Sequence, residues 1–279
     1  MWDPQGRIRG PWVALSFAAV AIVTGLLLNV LVAIAGLWRP PDPDSPLTIL
    51  STLPTLGAGI TATIIGWLAF REATGLADAH PARRLGAGFV LGGVALALCC
   101  GVPALVGATS LSLSSRGVGA VAGAGLMQLL ILSPAGVGEE LLLRGLGFQA
   151  LRRGLGDAAA VALTSVLFGA LHLFNPGATW LAALEVALVG AWFGALAVRT
   201  GSLWMPMGLH VAWNFFEGFV FGQPVSGNPP GTSLFVAGLA PQPGFWSGGA
   251  FGPEAAGWTA VVLTAGLALT LGSPRRSSS

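Results

Sequence analysis

The sequence contains no lysine, only two cysteines and three histidines, and charged residues fill just 9% of its 279 positions. A soluble domain carries roughly 25% charged and 45–50% apolar residues, whereas this chain is 54% hydrophobic with a mean hydropathy of +0.77. The shortage of charge excludes a soluble globular fold, a disordered chain and an ordinary nucleic-acid binder, because water would have to solvate mostly bare apolar surface. Lipid is the solvent for most of the length, and the chain reads as an all-α polytopic membrane helix bundle. The pI near 9.0 carries little weight beside a formal net charge of +2. Cys99 and Cys100 are adjacent, and neighbouring cysteines rarely bridge each other, so they read as packing residues and leave the redox compartment open. Arginine without lysine, in a chain rich in alanine and glycine, fits a bacterium with GC-rich codons.

Apolar runs with few or no charges fall at about 12–37, 47–70, 85–107, 119–147, 157–174, 178–198, 202–221 and 257–272. A crossing helix needs ~20 residues, with a usual range of ~17–25, which gives eight helices, or seven if the last run lies on the surface. The first run is longer than a signal-peptide core of ~7–15 residues and reads as a retained anchor. With a cytoplasmic N-terminus, the inside segments hold Arg7, Arg9, Arg71, Arg83, Arg84, Arg152, Arg153, Arg199, Arg275 and Arg276. The outside segments hold only Arg39 and Arg116, while Arg144 lies within a span. Ten against two is a positive-inside bias. It predicts a multi-pass inner (plasma) membrane protein with an even number of helices and both termini cytoplasmic.

The organisation divides into three N-terminal helices (1–118), a core of four helices (119–221), and a region of outer loop, last helix and tail (222–279). Residues 38–46 form a proline-stiffened outer turn. Residues 222–256 are rich in glycine and proline and carry Glu254 as their one charge. Such a segment is neither a solvated linker nor a helix, and reads as a lid or re-entrant cap over the outer mouth.

Charged groups inside a span cost about 2.5–3.5 kcal/mol each on insertion scales, so each needs a reason. They are Glu139, Glu140 and Arg144 in the fourth run, His172 in the fifth, Glu185 in the sixth, and His210 and Glu217, with the amide Asn214, in the seventh; only His80 among the histidines lies in a loop. Counted along a helix from the nearest inside boundary, Glu139 lies roughly 20 Å deep, His172 roughly 22 Å, Glu185 roughly 21 Å and His210 roughly 16 Å. Helices of opposite direction thus bring polar groups to one layer. Glu140 and Arg144 are i and i+4 with the acid first, the favourable order for a helical ion pair. Glu139 is rotated about 100° away and left to face a cavity. His210 and Asn214 share a face, which Glu217 continues, and Phe168 shares one with His172. Pro134, Gly136 and Gly138 predict a kink that admits water beside the acids. Taken singly, each His or Glu also fits a structural hydrogen bond between helices; the combination at one depth points to chemistry.

Gly138-Glu139-Glu140-Leu-Leu-Leu-Arg144-Gly145 resembles the Glu-Glu-x-x-x-Arg motif of the CPBP (CAAX protease and bacteriocin-processing, or Abi) family of intramembrane proteases, the CAAX prenyl protease 2-like proteins. Phe168-Gly-Ala-Leu-His172 and His210-Val-Ala-Trp-Asn214 resemble its second and third motifs, in the family's order, over about 119–221. The resemblance implies an eight-helix membrane endopeptidase acting on prenylated CAAX proteins, peptide precursors or other membrane-associated proteins. It assigns Glu139 as the catalytic carboxylate and Glu140 as the partner that Arg144 orients. It gives His172 a share in water activation, and His210 and Asn214 the oxyanion. Glu185 and Glu217 lie outside the motifs.

The chemistry agrees. Peptide hydrolysis needs an activated water, a proton for the leaving amine and a stabilised carbonyl oxygen. No serine or cysteine stands beside a base in this layer, which argues against a covalent nucleophile. Glu139, His172 and His210 also make a His₂Glu set of the kind that holds one catalytic zinc, but the compact His-Glu-x-x-His spacing is absent. The cofactor therefore stays open between one divalent metal and none. The expected partners are a peptide or membrane-protein substrate and the bilayer, with no nucleic acid; the oligomeric state is open. The competing classes are a proton- or cation-coupled transporter and a non-catalytic immunity or scaffold protein.

Overall fold

The computed structural model describes residues 10–34, 44–45, 48–70, 74–238 and 244–273. Within them the chain forms α1 (Gly10–Ile34), α2 (Ile49–Phe70), α3 (Pro81–Leu105), β1 (Ser110–Leu113), α4 (Val118–Arg144), α5 (Leu146–Leu155), α6 (Asp157–His172), α7 (Trp180–Thr200), α8 (Trp204–Phe215), β2 (Phe235–Gly238) and α9 (Gly257–Gly272). A π-turn, Phe216–Val220, prolongs α8. Gly145 separates α4 from α5, so the fourth apolar run is one rod broken near its C-terminal end. Counting that rod once, the described helices make the eight expected from hydropathy. Five of the spans are long and apolar enough to cross a membrane, and α6 and α9 are shorter apolar helices. The large side chains of α1 face outward over most of its length, Leu15, Ile22, Leu26 and Leu31 among them, as lipid-facing residues do.

Local signals fix the ends. The Thr179 hydroxyl accepts the Ala182 N–H at 3.1 Å and opens α7, and Gly201 closes it in the left-handed conformation at φ +65°. α7 is the most buried span and runs through the core, where Phe193, Trp192 and Leu196 meet Leu96 of α3, Trp213 of α8 and Leu263 of α9. α3 lies directly along α8. A Cβ on Gly88 would stand 2.0 Å from the Met205 carbonyl oxygen, and one on Gly208 2.0 Å from that of Leu85, so only glycine permits this approach.

Contacts define two ends. At one, Gly10 meets Ala150, Arg152 pairs with Asp157 (2.8 Å), Arg84 donates to the Thr200 carbonyl (2.6 Å) and Leu203 N–H to that of Gly75 (2.8 Å). Arg83, Arg84, Arg152, Arg153 and Arg199 all belong to this end. At the other, β1 pairs antiparallel with β2, Ser110 opposite Gly238 and Leu113 opposite Phe235. There Asp44 accepts the Thr232 N–H (2.6 Å) and hydroxyl (3.1 Å). The ribbon is an addition to the all-α reading: it joins the α3–α4 connection to the segment read as a cap. Arg7, Arg9, Arg39, Arg71, Arg275, Arg276 and most of the 38–46 turn lie outside the described residues.

Asp78 ties the first end together. The Ser202 hydroxyl, then the His80 N–H (2.8 Å) and Arg84 (2.6 Å), hold its carboxyl below the usual carboxylate range against the opposing effect of burial. A depressed folded-state pKa adds stability that is present above the unfolded value and lost as pH falls through the folded one. Asp78→Asn is therefore expected to lower the melting temperature in detergent by a few degrees at pH 7. The difference from wild type should close as the pH drops below the ordinary carboxylate range.

Candidate active site

The buried charge sits on α4. Arg144 and Glu140 have fully buried side chains, and Arg144 Nη1 donates to Glu140 Oε1 at 2.7 Å across one helical turn. Arg144 Nη2 donates to the Gly190 carbonyl of α7 at 3.0 Å, and the guanidinium lies over the rings of Phe168 (4.9 Å) and Phe193 (5.5 Å). Gly190 makes room for it: a Cβ there would meet Nη2 at 3.0 Å and Phe168 at 3.1 Å. The same Glu140 oxygen meets Nδ1 of His210 at 3.0 Å. That bond selects the ring's orientation and leaves Nε2 for the other side. Nε2 lies 3.7 Å from Oε2 of Glu139.

Glu139 differs from its neighbour in exposure. Its side chain is 31% exposed against 0% for Glu140, so one carboxylate meets water and the other is dry. It lines a cavity of about 280 Å³ together with His172, His210, Asn214, Phe168 and Trp213. Nδ1 of His172 meets the Phe168 carbonyl one turn back at 2.9 Å, which leaves Nε2 as an acceptor in the neutral ring. The Phe168 ring packs edge-on against both imidazoles, at 4.5 Å from His172 and 5.9 Å from His210. α4 continues as a helix through Pro134, and its small residues serve close packing: Gly136 abuts the His210 ring, and Gly138 abuts the backbone of α2 at Leu56. Water reaches Glu139 along the cavity rather than through a break in α4.

Thr48, Ser51 and Thr52 at the start of α2 form one wall, and a strap of Val225, Ser226, Asn228, Pro229, Pro230 and Gly231 forms another. The strap is pinned at both ends. Ser226 donates its hydroxyl to Glu254 and receives Asn175 Nδ2 at its carbonyl (3.0 Å), while the Thr232 carbonyl accepts Gln128 Nε2 (2.7 Å). Glu254 also accepts Trp213 Nε1 at 3.0 Å and is itself part of the cavity wall. Among the described residues, no arginine lines the cavity.

Of the residues singled out by sequence, Glu139, His172, His210 and Asn214 share this cavity, and Glu140 and Arg144 stand behind it. Glu185 and Glu217 are buried elsewhere, and their carboxylate oxygens have no hydrogen-bond partner among the described residues. Glu217 lies in the π-turn after Phe215 and does not line the cavity with His210 and Asn214. Sequence reasoning assigned no role to Glu254, Ser226 or Asn175; a lone carboxylate in a long uncharged loop was the available signal.

Glu139, His172 and His210 do not fit a metal as placed. Among the described residues, no three His, Cys, Asp or Glu side chains converge as a ligand set.

Residues 122–216 match the family model described as type II CAAX prenyl endopeptidase, Rce1-like. The match spans all three motifs and ends within the π-turn. Comparison with curated proteins gives no match. Residues 122–216 are thus similar to a protease, and so hydrolase, family, and they lie within a helical membrane bundle.

Glu140→Ala would leave the Arg144 guanidinium uncompensated and His210 unanchored. Breaking a buried pair from one side costs about 3–5 kcal/mol, so the variant should melt well below wild type in detergent. An unchanged melting temperature would show that Arg144 has another counter-charge.

Proposed function

We propose that the protein is an intramembrane endopeptidase that hydrolyses a peptide bond of a membrane-associated protein or peptide precursor with a water activated by Glu139. One observation carries this reading: a water-accessible Glu139 stands 3.7 Å from Nε2 of His210, whose other nitrogen is held by the dry Glu140–Arg144 pair. Glu139 takes a proton from water, and the water oxygen attacks the carbonyl carbon. His210, as imidazolium between two carboxylates, donates from Nε2 to the developing oxyanion, with Asn214 as second donor. The proton then passes to the leaving nitrogen as the C–N bond breaks, giving a carboxylate and an amine. His172, its Nδ1 occupied by Phe168, offers Nε2 as a further proton acceptor beside the scissile bond. Glu140 and Arg144 act through His210 as positioning residues. No step is routed through a metal, because the donors do not converge on one. On this reading, the positive-inside rule makes the end that carries Arg83, Arg84, Arg152, Arg153 and Arg199 the cytoplasmic one.

Glu139→Gln keeps the shape of the side chain and removes the base. The purified variant should fold as wild type by melting and lose cleavage of a peptide substrate, typically a loss of 10²–10⁴-fold for a missing general base; normal turnover would sink the assignment. Wild-type cleavage should also survive extensive chelation. Stoichiometric zinc in the purified protein, lost in both His172→Ala and His210→Ala, would overturn the metal-free scheme.

A further inference from the structure

The cavity extends from Glu139 towards the end of the bundle where α6 stops. His172 is the last residue of α6, and the chain turns at once, with Asn175 N–H on the His172 carbonyl at 3.1 Å. The cavity's walls come from segments at that same end: Thr48 and Ser51 at the start of α2, Asn175 after α6, and the strap around Ser226. Towards the arginine-bearing end, the cavity meets the fully buried Glu140–Arg144 pair and the Phe168 and Phe193 rings stacked on it. A peptide coming from that side would have to displace a dry ion pair. From the strap side it meets Glu139 directly.

The arginine census fixes which side each end faces. Among the described residues, Arg83, Arg84, Arg152, Arg153 and Arg199 belong to the closed side and Arg116 to the strap side. Positively charged flanks stay in the cytoplasm. We infer that the site opens to the non-cytoplasmic face of the membrane and receives its substrate there. The substrate class is then an exported peptide, or the outward flank of a membrane protein, and a C-terminal tail that resides in the cytoplasm does not reach Glu139. The inference rests on the peptidase reading for its chemistry but on charge and cavity placement for its direction.

Two measurements test these separately. Asn228 of the strap and Ala158 at the start of α6 are both exposed, and the native cysteines, Cys99 and Cys100, are buried. In intact spheroplasts of a bacterial host, a membrane-impermeant maleimide should label Asn228→Cys and spare Ala158→Cys until the membrane is permeabilised. The opposite pattern overturns the inference. In the same preparations, an impermeant reporter peptide should be cleaved several-fold faster by spheroplasts than by sealed inverted vesicles, with Glu139→Gln as the blank. Faster cleavage by the inverted vesicles would also overturn it. Labelling in the expected pattern with no cleavage on either side, even after permeabilisation, would instead sink the peptidase reading and leave the orientation standing.

Discussion

A guanidinium with no exposure inside a lipid-solvated bundle has to be neutralised where it stands, and the layout of the site follows from how Arg144 is neutralised. Its counter-charge, Glu140, is one turn away on the same helix. Its remaining donors and its flat faces need a carbonyl and aromatic rings, which Gly190, Phe168 and Phe193 provide. Those partners bring α6 and α7 against α4. Since His210 shares the Glu140 oxygen, the orientation of its ring is inherited from the ion pair. The chemistry at Nε2 therefore depends on a charge that never meets the substrate.

The two sides of the cavity are built differently. Small residues let helices close tightly where the bundle must be dry: Gly88 and Gly208 between α3 and α8, and Gly138 between α4 and α2. The other side is walled by a strap that side-chain hydrogen bonds hold, through Glu254, Asn175, Gln128 and Asp44. Polar anchoring at that end and apolar packing below it produce a wet pocket with a dry floor. Two adjacent glutamates thereby meet different surroundings, one in contact with the cavity and one dry in an ion pair.

The helices were legible because lipid imposes a simple rule on sequence. The runs expected at 157–174, 202–221 and 257–272 correspond to α6 at Asp157–His172, α8 with its π-turn ending at Val220, and α9 at Gly257–Gly272. The i, i+4 spacings were legible too, since a helix face is a local property: Glu140 with Arg144, and His210 with Asn214. What failed was tertiary or depended on an irregular turn. Helical spacing put Glu217 on the face of Asn214, yet it does not line the cavity. Glu185 was matched to the polar layer by depth, but depth says nothing of the direction a side chain faces. The β1–β2 pairing joins segments 124 residues apart at Ser112 and Val236, beyond the reach of any local pattern. Glu254 stands in a loop whose path only the folded bundle defines. A His₂Glu set could be written from composition, whereas the commitment of His210 Nδ1 to Glu140 is a fact of three dimensions.

The position of Glu140 and Arg144 on a single helix also bears on biogenesis. Acid and base lie within one turn, so α4 can partition into the bilayer with its strongest charges already cancelled, before the segments that follow it have been synthesised. The partners arrive in chain order: Phe168 with α6, then Gly190 and Phe193 with α7, and His210 with α8. Glu254 and the strap come later still. The charged part of α4 is thus matched for insertion well before the cavity is complete, and a ribosome-bound chain lacking α8 holds Glu139 without the His210 imidazole beside it. The site is assembled last, by the segments that are translated last.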